Sequence, residues 1–175
     1  MTARVVLVAL VGAACAAGPL PRITHTDTRP LVGIQTDTAV SRRAIEAYRE
    51  ADSAGLEQAL CLYGSIRGTP GKWMLVITRA APPMESQRMP MFMIYRCDRH
   101  ATGYVGRWHT HLAVSGSVEA NPMPSPIDEA DFWSDSRSLV MLVGFRLLAR
   151  EADTVLLATW EFQDRRRGLL VMAGR

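Results

Sequence analysis

The sequence predicts an α/β domain, α+β in arrangement, in which a mostly antiparallel or mixed sheet carries flanking helices. The first observation is a series of short apolar segments, each bounded by Gly, Pro or polar residues that favour turns. The second is helical periodicity ahead of these segments and again over 126–136. The third is size, because 175 residues with 48% hydrophobic side chains suit one domain with an apolar core.

The first predicted helix covers Thr38–Ala54. Asp37 or Thr38 can cap its start, and Gly55 stands where such a helix would end. Apolar residues recur at spacings of three and four, which gives the helix one face for packing: Val40, Ala44, Ala47, Tyr48 and Ala51.

Seven later segments have the length and composition of strands. Turn residues separate them, among them Gly64 and the pair Pro82 and Pro83. The predicted strands lie at 56–63, 73–78, 90–95, 104–111, 138–145, 154–162 and 168–172.

The folded domain is predicted to occupy 38–175. Residues 1–16 have the anatomy of an export signal, with a basic start, an apolar run and then small residues. Residues 12–15 resemble a bacterial lipobox, in which Cys15 is lipidated and attaches the protein to a membrane. An ordinary cleavage site at 14–16 and a buried strand are the alternatives. Residues 17–37 contain three prolines and predict a tether or extended lead-in, so we expect an exported protein of the periplasm or cell envelope.

The charge of the chain argues against a nucleic-acid partner. The formal net charge is only +3, and the arginines are scattered along the sequence. The densest run, at 165–167, falls between two apolar segments, where a solvated hairpin turn is the favoured interpretation.

Two cysteines, Cys61 and Cys97, fall within the predicted domain. In an oxidising compartment they can pair. Each also lies in or beside an apolar run, where a free cysteine behaves as a small buried hydrophobe, and this second interpretation is favoured.

A metal site is indicated by His109 and His111 in one predicted strand. Residues i and i+2 of a strand share a face, so both imidazoles can reach one ion. Imidazole suits Zn²⁺, and a catalytic zinc commonly has three protein ligands and a water. Asp128 is the candidate third ligand, because Ser125 and Pro126 begin a predicted helix and place it in the first turn. The same S-x-x-D spacing is also that of a capping box, which needs no metal.

Together, GRWHTH at 106–111 and PSPID at 124–128 resemble the signature of the JAMM metallopeptidases, also called the MPN-plus or JAB family. That family has a glutamate upstream, just before a strand that ends in glycine. The segment EQALCLYG at 57–64 is similar to that pattern, and the resemblance covers about 56–145.

The resemblance implies a JAB/MPN-like fold that binds Zn²⁺ through His109, His111 and Asp128. It implies that Glu57 is the general base and that Ser125 donates a hydrogen bond to the oxyanion. The chain departs from the family at Leu112, where proline is usual, and in the thirteen residues between His111 and Ser125, a longer spacing than the family has. It also has too little sequence ahead of the histidine strand for the family's helix.

The expected function is zinc-dependent hydrolysis of peptide or isopeptide bonds in a peptide or protein substrate. The main alternative is an MPN-like binding or scaffold lipoprotein without catalysis. A domain that zinc merely stabilises would need a fourth protein ligand, and none is evident. Arg107 shares the histidine face, so contact with substrate is one interpretation, and exposure to solvent is the favoured one. Glu129 and Asp131 are expected to point away from the metal.

Overall fold

The computed structural model describes residues 29–89, 92–113, 120–150 and 153–174. The predicted export signal and Cys15 lie outside the described residues. Neither helix of these ranges has the length and hydropathy needed to cross a membrane. The elements, in chain order, are β1 Leu31–Thr36, α1 Thr38–Ala54, β2 Ala59–Arg67, β3 Trp73–Ala81, β4 Glu85–Arg88, β5 Met93–Arg96, β6 Tyr104–Thr110, α2 Pro126–Ser134, β7 Val140–Arg150, β8 Asp153–Phe162 and β9 Arg167–Ala173.

Seven strands of the described ranges form one mixed sheet in the order β1-β3-β2-β6-β7-β8-β9, and β4 and β5 form a separate hairpin. The pairs β1–β3 and β6–β7 are parallel and the other pairs are antiparallel. The predicted class is therefore confirmed at the level of a mixed, mostly antiparallel sheet with two helices. Parallel neighbours need a crossover connection, and the β6–β7 crossover contains α2.

One face of the sheet packs against α1. Leu60 and Leu62 of β2, Trp108 of β6 and Leu142 of β7 are all buried in the same cluster as the apolar face of this helix. The helix has the predicted ends. The Asp37 carboxylate accepts the Val40 N–H at 2.8 Å, and Gly55 ends the helix in the left-handed conformation at φ 64°. Strand β6 lies at the centre of this sheet, between β2 and β7.

The opposite face of the sheet carries the polar residues singled out in the sequence. Strand alternation places Arg107 and His109 of β6 on this face, away from Trp108. Helix α2 contacts the face through its acidic residues, and its Phe132 is completely buried. The site therefore forms between a rigid strand and a crossover helix.

The N-terminal boundary of the predicted domain was placed too late. Residues 31–36, predicted as part of the 17–37 tether, form β1 and pair in parallel with β3 from Leu31↔Trp73 to Thr36↔Ile77. The sequence LVGIQT has a glycine in its middle and no regular alternation, and as an edge strand it needs neither a continuous apolar face nor two partners.

The favoured interpretation of the cysteines was wrong. Cys61 of β2 and Cys97, just after β5, form a disulfide with a Cα–Cα distance of 5.6 Å. Both are almost completely buried, in a cluster with Tyr63. The apolar surroundings were predicted correctly, but pairing depends on how the β4–β5 hairpin folds back onto β2, which local sequence does not reveal.

Candidate metal centre

Strand β6 brings the two predicted histidine ligands together. His109 Nε2 lies 3.2 Å from His111 Nε2. Between them, Thr110 is fully buried, and its hydroxyl accepts the Gln58 N–H at 2.9 Å. The strand alternation therefore turns both imidazoles to the α2 side and anchors the residue between them on the neighbouring chain segment.

Helix α2 supplies the carboxylate. Asp128 Oδ1 is 3.5 Å from His109 Nε2, and Asp128 Oδ2 is 3.4 Å from His111 Nε2. The predicted capping box is also present: the Ser125 N–H donates to Asp128 Oδ2 at 2.7 Å, and the Asp128 N–H donates to Ser125 Oγ at 3.2 Å. The two interpretations of Asp128 are compatible, because the cap holds the carboxylate against the histidines.

The spacing of the two imidazole nitrogens fits a tetrahedral metal ion. Zinc bonds of about 2.0–2.1 Å at tetrahedral angles place two ligand atoms about 3.3 Å apart. The two Nε2 atoms, 3.2 Å apart, match that value, and each histidine approaches a different oxygen of Asp128, His109 at 3.5 Å and His111 at 3.4 Å. His109, His111 and Asp128 therefore form a group that can hold a metal ion.

The imidazole of His111 is held in the orientation that a ligand requires. Its Nδ1 lies 2.9 Å from the Asn121 carbonyl oxygen, so an Nδ1–H donated there leaves the Nε2 lone pair free for a metal. Asn121 was missed in the sequence because a backbone carbonyl has no side-chain signature. His109 Nδ1 is buried without a hydrogen-bond partner among the described residues.

The surroundings of the site shift the pKa values of its acid and its two histidines in different directions. Burial acts to raise the pKa of Asp128, but hydrogen bonds from His109 and His111 outweigh it and hold that pKa well below its usual range. Burial lowers the pKa of His109, which keeps its imidazole neutral. For His111, burial acts to lower the pKa, but Asp128 and the Asn121 carbonyl outweigh it and raise the pKa. A metal ion at this site would displace the proton that the raised pKa favours on the His111 imidazole.

Glu57 lies beside this group, just ahead of β2. The register Ala59↔His109, continued by two residues, places Glu57 opposite His111 on the same face. Its backbone is held by the neighbouring bond from Thr110 N–H to the Gln58 carbonyl, 2.9 Å long. Glu57 is 8% exposed, and burial raises its pKa to about 7, with His111 opposing and Asp128 reinforcing the shift.

The expectation that Arg107 faces solvent was wrong. Arg107 is 4% exposed and forms ion pairs with Asp131 of α2 and with Asp135, which ends that helix. Helix α2 covers this part of the sheet face. Strand alternation therefore predicted the correct face for Arg107, but it did not predict that the helix would bury this side chain. Asp131 and Glu129 are not part of the group that can hold a metal ion, because Asp131 pairs with Arg107 and Glu129 pairs with Arg167.

A cavity of about 210 Å³ opens beside the metal ligands. Asp128 and Ile127 of α2 form one wall, and Ile94 of the β4–β5 hairpin belongs to the other. Ile94 and Ile127 are both largely exposed, so apolar side chains border an opening next to a charged site.

No family model matches the chain, and no curated protein matches it either.

Proposed function

We propose that this protein is a zinc-dependent hydrolase of peptide or isopeptide bonds, of the JAMM type. The observation that carries the proposal is the convergence of His109, His111 and Asp128, whose possible ligand atoms lie within 4.8 Å of one another, beside a buried glutamate that is not one of the three. Three protein ligands are the usual set of a catalytic zinc, which keeps a fourth position for water.

The residues have distinct roles in this proposal. His109, His111 and Asp128 would hold the zinc, which would supply a water with a pKa near 7 and a Lewis acid for the substrate carbonyl. Glu57 accepts a proton from the attacking water and passes it to the leaving nitrogen. Its raised pKa suits both the acceptance and the return of a proton near neutral pH. The Ser125 hydroxyl accepts the Asp128 N–H through its oxygen, which leaves its own hydrogen for the oxyanion.

The surroundings support a polypeptide substrate in an exported setting. The cavity beside Asp128 has apolar groups at its rim and Asp131 and Arg107 among its lining residues, which suits a chain segment with both apolar and polar groups. The Cys61–Cys97 disulfide supports an oxidising compartment, as the proposed export to the periplasm or cell envelope requires. Lipidation at Cys15 stays a proposal.

Metal analysis of the purified full chain tests the site. We expect about one zinc per chain for the wild type, almost none after His109→Ala or His111→Ala, and much weaker binding after Asp128→Ala, because each change removes one of three ligands. His100→Ala is the matched control, since His100 is an exposed histidine in a turn. A wild type that holds no zinc when metal is plentiful would support the binding or scaffold alternative instead.

A further inference from the structure

Helix α2 is joined to β6 at two points, and only one of them is the metal site. The second is Arg107, which lies two residues before His109 on the same face of the strand. Its guanidinium pairs with the Asp131 carboxylate, donates to the Asp131 carbonyl at 3.3 Å and donates to Asp135 Oδ2 at 3.3 Å. Asp131 lies three residues after Asp128, which is one helical turn and the same side of α2.

The far end of this second connection is fixed to the sheet. Asp135 is 2% exposed, and its Oδ2 accepts from the hydroxyls of Ser138 at 2.7 Å and Tyr104 at 3.2 Å. Tyr104 begins β6, so the same strand that carries the histidines also holds the end of the helix. Polar contacts at Asp128, Asp131 and Asp135 therefore link α2 to β6 near its start, in its middle and at its end, and the contact at the end is buried.

We infer that Arg107 is a positioning residue for the metal centre: by holding Asp131 and Asp135, it sets the distance from Asp128 to His109 and His111. The inference rests on the metal site of the proposed function. The connections His109–Asp128 and Arg107–Asp131 run side by side from one strand to one helix, about two strand residues apart, or roughly 6.6 Å. A shift of α2 at the second connection is therefore transmitted to the first.

Arginine suits this role better than lysine does. A planar guanidinium can contact two carboxylates and a carbonyl at fixed angles, whereas an ammonium is a single point charge. Because Arg107 is buried, the loss of either acid leaves its charge less well compensated, and the helix has to move or admit water. The arginine acts through Asp128 and does not itself ligate the metal.

Cobalt binding to the full chain tests this role without peptide hydrolysis. The comparison is between Asp131→Asn, which breaks the pair with Arg107, and Glu129→Gln, which breaks the pair with Arg167. Both changes remove one negative charge from α2 and keep the side-chain shape, and Glu129 is the closer in sequence to Asp128. Arg107→Lys is the third variant, because it keeps the charge but loses the planar fork.

We expect Asp131→Asn and Arg107→Lys to weaken Co²⁺ binding by roughly 10- to 100-fold, as the loss of residues that orient ligands typically does. The visible absorption of the bound Co²⁺ should also weaken, since the coordination departs from tetrahedral. Glu129→Gln should stay within about twofold of the wild type in affinity and keep its spectrum.

Wild-type affinity and spectrum in Asp131→Asn and Arg107→Lys would overturn the inference. Equal losses in Glu129→Gln and Asp131→Asn would also overturn it, because charge alone would then explain both. If the wild type binds Co²⁺ but cleaves no peptide, the proposed peptidase function is wrong. The cobalt affinities and spectra of the variants then still decide whether Arg107 positions the metal centre. A wild type that binds no metal would overturn both.

Discussion

At the scale of single residues, the site depends on a carboxyl group kept away from water. Glu57 is 8% exposed and burial raises its pKa to about 7, whereas Asp128 is stabilised as a carboxylate by the histidines. Two acids in one site therefore have opposite protonation preferences. Such a difference between the two pKa values suits a site in which one carboxyl binds a metal while the other exchanges protons.

The raised pKa of Glu57 has a consequence for the stability of the metal-free chain. Between its unfolded pKa, 4.5, and its folded pKa, about 7, the folded state binds more protons than the unfolded state, so this group makes stability fall as pH rises through that window. We expect metal-free Glu57→Gln to be more stable than wild type by about 1–3 kcal/mol at pH 8 and by much less at pH 5.

Urea unfolding with a chelator present measures this difference at both pH values. Glu46→Gln serves as the control, because Glu46 is an exposed acid on α1, and it should change stability little at either pH. Equal stability of Glu57→Gln and wild type at pH 8 would mean that the Glu57 carboxylate is well solvated.

At the scale of elements, β6 and α2 form the site because the crossover returns the chain to the strand it has just left. The sequence predicted both elements and the histidine face, since period-two alternation and a Ser-Pro helix start are local signals. Sequence offered a cap and a ligand as alternatives at Asp128, whereas in the structure the same carboxylate accepts from Ser125 and faces both histidines. The spacing of residues in the sequence does not show the contact of Asp128 with the two histidines.

The cap of α2 links helix stability to metal binding. Ser125→Ala removes the oxygen that accepts the Asp128 N–H, and the loss of such a cap typically costs about 0.5–2 kcal/mol. We expect that loss in the free energy of unfolding, together with weaker zinc binding, because the first turn that carries Asp128 frays. Thermal melting and zinc titration measure the two effects.

A conservative variant separates the cap from the hydroxyl. Ser125→Asn retains a capping oxygen, so it should recover most of the stability and zinc affinity while hydrolysis stays reduced. A wild-type rate of hydrolysis in Ser125→Asn would show that the serine hydroxyl does not stabilise the oxyanion. Ser125 would then act only by capping α2.

At the scale of the whole molecule, the sheet presents an apolar face to α1 and a polar face to the site. The sequence predicted α1 and most of the strands because their patterns are strong. It missed β4, whose residues Glu85–Arg88 are all exposed and lack apolar alternation. It also missed the partners of Arg107, because they depend on how the crossover packs. The disulfide likewise joins β2 to the segment after β5, thirty-six residues apart.

We propose that the buried Glu57 carboxyl transfers protons beside a metal held by His109, His111 and Asp128. The most direct measurement compares wild type and Glu57→Gln for zinc content and for hydrolysis of a peptide library, with the full zinc-loaded chain. We expect zinc to stay near one per chain while hydrolysis falls by roughly 10²–10⁴-fold, because general acid–base catalysis contributes about that much. Unchanged hydrolysis would contradict the role of Glu57, and loss of zinc would mean that Glu57 is a ligand.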